Sequence, residues 1–126
     1  LGQTTAVSIG GDAIIGSTYA DLMPKFEADP ETKAVVIYSE PGGPMEAQLA
    51  DYVKHTGSRL PIIAFMAGRF MDDMPGMRFG HAGTIVEGRA DTSTEKIRLL
   101  EAAGISVAED IAEIPRLVRE RANLQG

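Results

Sequence analysis

The run Met77-Arg78-Phe79-Gly80-His81-Ala82-Gly83 sets one imidazole between two glycines. Glycine lets backbone crowd close to a ligand, and neutral imidazole is a competent nucleophile near neutral pH. These residue types suit temporary attachment of a phosphoryl group to His81, with Gly80 and Gly83 giving it room. An ordinary loop histidine between turn glycines has the same local composition, so the weight falls on what the rest of the chain brings to this place.

Glu40-Pro41-Gly42-Gly43 is the second such group. It follows an apolar strand pattern and leads into a helix expected to begin at Pro44. A helix amino terminus exposes unpaired N–H groups and about half a positive charge, so it can hold a phosphoryl group. Gly42 and Gly43 allow the approach, and the backbone around Met45 supplies donors. Glu40 can accept the proton of one ring nitrogen, leaving the other free to attack. A plain turn with a solvated acid is the alternative. Gly10-Gly11-Asp12 is a weaker third group, where paired glycines admit a ligand and Asp12 caps or accepts a hydrogen bond. It lacks the G-x-G-x-x-G spacing of a dinucleotide fingerprint, and the chain has no Walker P-loop, so nucleoside triphosphate must be handled elsewhere.

The other histidine, His55, falls at the end of a helix, where positive charge is favourable, and reads as structural. Asp72 and Asp73 with His81 lack the spacing of a metal site, and no metal is expected. Met66, Met71, Met74 and Met77 read as packing under a long loop or as a partner interface.

The elements that must position these groups alternate. Apolar strands at Thr4–Ile9, Ala34–Tyr38, Pro61–Met66, Thr84–Val86 and Ile105–Val107 are separated by amphipathic helices, the pattern of a five-stranded parallel sheet in an α/β domain. A first helix carries Tyr19, Leu22, Met23 and Phe26 after the possible cap Ser17, contains Pro24 and stops at Asp29-Pro30. A second runs from Pro44 to Gly57 with Met45, Leu49, Tyr52 and Val53 inward. A third opens with a Thr92–Glu95 capping box and ends at Gly104, and a fourth runs from Asp110 to Leu124. The segment Ala67–Gly83 is too long for a simple strand-to-helix turn. It leaves the carboxyl edge of the third strand, where open parallel sheets bind ligands.

With 126 residues and 44% apolar content, residues 1–126 make one domain. A net charge of −6 without a basic run argues against nucleic acid and against a polybasic membrane contact. Zero cysteines exclude disulfides and thiolate chemistry. No apolar stretch approaches the length of a membrane span, and cytoplasm is the expected setting. Leu1, in place of a methionine, is expected to mark a cut from a longer protein.

Taken in order, Ile9-Gly10-Gly11-Asp12, Glu40-Pro41-Gly42-Gly43 and Arg78-Phe79-Gly80-His81-Ala82-Gly83 make the chain resemble the carboxyl-terminal CoA-ligase domain of the succinyl-CoA synthetase alpha subunit, within the wider family of NDP-forming acyl-CoA synthetases and ATP-citrate lyases. Phe26-Glu27-Ala28-Asp29-Pro30-Glu31-Thr32, Glu95-Lys96-Ile97 and Leu100-Glu101-Ala102-Ala103-Gly104 extend the resemblance over nearly the whole chain. It implies a flavodoxin-like three-layer fold and an enzyme that joins a carboxylic acid such as succinate to CoA through a phosphohistidine. His81 matches that histidine and Glu40 the glutamate that contacts it. The helix at Pro44 matches one of two whose amino termini face the phosphoryl group. The resemblance further implies a beta-type subunit, or a fused equivalent, with a nucleotide-grasping domain and the Mg²⁺ site. An amino-terminal CoA-binding domain, outside this chain, is implied as well. CoA, nucleoside triphosphate and Mg²⁺ would serve the complete enzyme, with none bound tightly by this domain. Pro44, Pro41 and Phe79 depart from the usual family residues. A catalytically altered paralogue, and a module that binds ligand or subunit without covalent chemistry, stay open as readings.

Overall fold

The computed structural model describes residues 1–74, 76, 77, 88 and 92–124. Helix α1 (Tyr19–Ala28) begins where Thr18 accepts from the Asp21 backbone while the Asp21 carboxylate accepts from Thr18, a reciprocal capping box. The cap is therefore Thr18 and not Ser17, because the acid three residues on completes the box only from position 18. Pro24 stands inside α1 without ending it, and Asp29 is the carboxyl cap.

Strand β1 (Val35–Ser39) follows, then α2 (Met45–Thr56), ended by Gly57 in the left-handed region at φ 63°. Strand β2 (Ile62–Met66) leads into a 3-10 turn over Arg69–Asp73. Helix α3 (Ser93–Ala102) starts at the Thr92 cap and closes with the Ile105 N–H on the Leu100 carbonyl, Gly104 lying between at φ 83°. Strand β3 (Ser106–Ala108) and helix α4 (Ile114–Arg121) complete the order. The expected fourth helix from Asp110 starts later and is preceded by a 3-10 turn at Ile111–Glu113. Pro115 has no N–H to return to the Ile111 carbonyl, so an α-helix opens only with Pro115 in its first turn.

The strands pair in parallel in the order β1-β2-β3, with Val36 opposite Ile63 and Phe65 opposite Ala108. This is an α/β fold with three strands among the described residues, where five were expected. Thr84–Val86 lies outside the described residues. Thr4–Ile9 is not a strand: Thr4 to Ser8 are exposed and pair with no ladder, and a strand without a neighbour has no partner for its backbone groups.

Burial shows two covered faces. Val35, Ile37, Ile62, Ala64 and Met66 point toward Met23 of α1, Leu49 of α2 and Leu100 of α3 in one core. Ile63, fully buried, points to the other face, where α4 packs on β2 and β3. At β1 that second face is open: Val36 is 48% and Tyr38 57% exposed. Arg59 ties the underside together by donating to the carbonyls of Phe26, Glu27, Asp29 and Thr32. No helix among the described residues is long and apolar enough to cross a membrane.

Candidate functional site

The carboxyl end of β1 is fixed from three sides. From α1, the Tyr19 hydroxyl donates to the Tyr38 carbonyl at 3.0 Å and lies 3.3 Å from the Ser39 hydroxyl. Burial pushes the Tyr19 phenol above its ordinary range, against the lowering effect of the Ser39 hydrogen bond. From β2, the Ala67 N–H donates to the Ser39 carbonyl at 2.8 Å. Pro41, buried, packs on Gly68: a Cβ added to Gly68 would stand 3.1 Å from both the Pro41 ring and the Met71 sulfur. The loops leaving β1 and β2 therefore meet at the same sheet edge.

From α3 comes a lysine. Lys96, 2% exposed, places its ammonium 2.6 Å from the Glu46 carboxylate, 3.1 Å from the Glu40 carbonyl and 2.5 Å from the Gly42 carbonyl. Glu46, in the first turn of α2, is equally buried. Two charges removed from water persist when each is paired and hydrogen-bonded. Removing one alone costs about 3–5 kcal/mol. Neither residue was read as a site residue from the sequence, although a signal existed. Lys96 occupies the inward register of α3 with Ser93 and Leu100, and Glu46 that of α2 with Leu49 and Ala50. Opposite charges at core positions of two helices point to a pair.

The loop itself runs through Gly42 at φ 89° and Gly43 at φ 72°, conformations that side-chain-bearing residues rarely take. Pro44, expected as the first helical residue, is instead the amino cap of α2, which begins one residue later at Met45, and it gives no side-chain cap. The first return bond is from the Gln48 N–H to the Pro44 carbonyl, so helix geometry leaves the N–H groups of Met45, Glu46 and Ala47 without intrahelical acceptors. The proline removes one donor ahead of the helix and none within its first turn.

A cavity of about 1720 Å³ opens beside this loop, between the amino-terminal segment, the open side of β1 and α4. Gly10, Gly11 and Asp12 line it together with Glu40, Gly42, Gly43 and Met45, so the first and second loop groups reach one space. Gly10 lies at φ 85°. Gly80, His81 and Gly83 lie outside the described residues.

Asp72 has a structural partner. Its carboxylate accepts from the Ser93 N–H at 2.7 Å and from the N–H and hydroxyl of Thr94 at 3.0 Å, capping α3 from 21 residues upstream. Burial raises its carboxyl, but the combined donors of Ser93 and Thr94 outweigh that and hold it below the usual range. Among the described residues no group of three or more histidines or acids is placed to hold a metal ion. His55, exposed in the last turn of α2, sets its Nδ1 2.7 Å from the Asp51 carbonyl one turn earlier. This is a local helix contact.

Known proteins give this arrangement a context. The alpha 1 subunit of ADP-forming succinate–CoA ligase from Archaeoglobus fulgidus is 43% identical over 94% of this chain, which spans 40% of that protein. The corresponding subunit from Staphylococcus epidermidis is 40% identical over the whole chain, again with 41% of its own length covered. The chain thus spans about two fifths of these relatives. Among solved structures, ATP citrate lyase from Methanothrix soehngenii, in complex with citrate and coenzyme A, superposes with a TM-score of 0.82 at 26% identity, over 91% of this chain and 19% of that one. Residues 1–107 match the CoA-ligase family, and the chain belongs to it.

Proposed function

We propose that this chain is the phosphohistidine-carrying domain of an NDP-forming acid–CoA ligase of the succinate–CoA ligase alpha type, working as one part of a larger cytoplasmic enzyme. The observation that carries the reading is the meeting of the β1 and β2 exits at one edge, with Glu40, the two left-handed glycines and the uncapped start of α2 side by side. Family membership supports it.

In this reading one nitrogen of His81 attacks the terminal phosphorus of a nucleoside triphosphate. The P–N bond forms as the bridging P–O bond breaks and nucleoside diphosphate leaves. Glu40 holds the proton on the other nitrogen, fixing the tautomer. Donors of Gly43 and of the first turn from Met45 onward neutralise the transferred group, while Gly42, Gly80 and Gly83 admit it. A carboxylate oxygen of the acid, such as succinate, next attacks phosphorus and the P–N bond breaks, giving an acyl phosphate. The CoA sulfur then attacks the acyl carbon, its thiol proton is lost, and inorganic phosphate departs. Gly10, Gly11 and Asp12 line the cavity from the far side and are assigned to substrate contact.

Nucleotide and its Mg²⁺ belong in this scheme to a beta-type subunit or fused nucleotide-grasping domain, and CoA to an amino-terminal CoA-binding domain. The parallel sheet of this domain is that of a flavodoxin-like three-layer fold, with Thr84–Val86 a further strand beyond the three described. The position of Pro44 outside the first turn of α2 favours an active domain over an altered paralogue.

Incubating the complete enzyme with γ-labelled ATP is expected to mark His81 with an acid-labile phosphate, and His81→Asn to abolish the label. Equal labelling of His81→Asn would refute the reading.

A further inference from the structure

The buried Lys96–Glu46 pair is not used in that chemistry, and α3 reaches across to the β1–α2 loop to make it. In a trans peptide the C=O and N–H point in opposite directions, and among the described residues no peptide bond is cis. Drawing the Gly42 carbonyl onto Lys96 therefore turns the N–H of Gly43 away from Lys96, toward the exposed side of the loop. The second carbonyl held is that of Glu40, whose peptide partner Pro41 has no N–H to present. One lysine thus orders the peptide that carries a donor and anchors the one that carries none.

Glu46 adds a second effect. An acid in the first turn of a helix normally satisfies the positive end of that helix itself. Here its carboxylate is held on Lys96, leaving the positive end of α2 for an incoming anion.

We infer that Lys96, with Glu46 as its buried counter-ion, is a positioning residue for phosphoryl transfer, aiming the Gly43 N–H and clearing the start of α2. The inference rests on the function proposed above. It makes Lys96 a residue that never touches phosphate yet sets the rate at which His81 takes it up.

The test uses the complete enzyme with its nucleotide-binding partner. Three quantities are followed: the single-turnover rate of phosphate transfer from γ-labelled ATP, the KM for ATP, and the melting temperature. Lys96→Met is expected to lower the melting temperature, since it strands a buried carboxylate. Lys96→Met combined with Glu46→Met removes both charges and is expected to recover most of that loss. Its phosphorylation rate, however, should stay down on the order of 10- to 100-fold with KM for ATP unchanged, because the oriented donor is not restored. Recovery of rate together with stability in the double variant would overturn the positioning role.

Should the double variant not fold, Glu46→Gln decides the question. Lys96 then keeps both loop carbonyls, and phosphorylation should stay within about tenfold of wild type even though stability falls. A loss beyond about tenfold there would refute the role of the loop carbonyls. A wild-type enzyme that takes no label, or a His81→Asn variant that keeps it, strikes the proposed function itself and removes the positioning role with it.

Discussion

Replacing Asp72 by alanine should weaken α3 and the junction that closes the segment between them. Its carboxylate accepts from two backbone N–H groups and one hydroxyl, at 2.7, 3.0 and 3.0 Å. Loss of an amino-terminal cap costs about 1–2 kcal/mol. A charged acceptor with three donors sits toward the upper end of that range, and partial exposure of Asp72 brings it back toward the middle. About 1.5 kcal/mol follows, which for a domain of this size is a fall of roughly 4–8 °C in melting temperature.

The effect must depend on pH in one direction. The folded carboxyl is held below its unfolded value by its donors, so its contribution is fully present above the unfolded value of about 3.9 and is lost as pH falls through the folded value. Wild type and Asp72→Ala, compared by urea denaturation, should therefore differ at pH 7 and converge as pH falls through the folded value. Asp72→Asn, keeping an acceptor oxygen without the charge, should fall between them. A wild-type-to-alanine difference under about 0.3 kcal/mol at pH 7, or one that persists undiminished at low pH, would refute the cap.

Gly68→Ala should cost more than Gly57→Ala. Both lie in the left-handed region, but a Cβ at 68 meets Pro41 and Met71 at 3.1 Å, whereas at 57 nothing lies within 4 Å. The backbone term alone is about 1 kcal/mol at each, so equal melting temperatures would show that the contact between the two loops is slack. Tyr19→Phe should cost about 1 kcal/mol through the lost bond to the Tyr38 carbonyl. Alkaline spectrophotometric titration should also lose a phenol that ionises above the ordinary tyrosine range, since the folded Tyr19 is raised above its unfolded value and its stabilising effect disappears as pH rises. A titration curve unchanged above that range would contradict that assignment.

The sequence was legible where a residue's role depends on near neighbours. The strands β1, β2 and β3 stand within a residue or two of where their β-branched runs placed them, and α1, α2 and α3 stop where Asp29-Pro30, Gly57 and Gly104 interrupt the helical pattern. Thr92 capped as its spacing to Glu95 implied. What failed to show depends on distant partners. The capping role of Asp72 was hidden because its donors are 21 residues away, and the pairing of Lys96 because Glu46 is 50 residues away. Thr4–Ile9 carried the composition of a strand, but composition does not supply the neighbour a strand requires. Of the candidate site, the loop at Glu40–Met45 and the Gly10–Asp12 loop share one cavity. The device that holds the first in place could not be seen without knowing that α3 crosses behind it.

The outer side of β1 has a further consequence. Among the described residues no strand pairs there, and Val36 and Tyr38 stand exposed beside it. A parallel edge of this kind offers ready hydrogen bonds to any extended segment that drifts past, its own copies included. In a crowded cell the safe lifetime of a newly made chain would then be set by how soon that border is sealed, which makes the timing of assembly a matter of solubility as much as of catalysis.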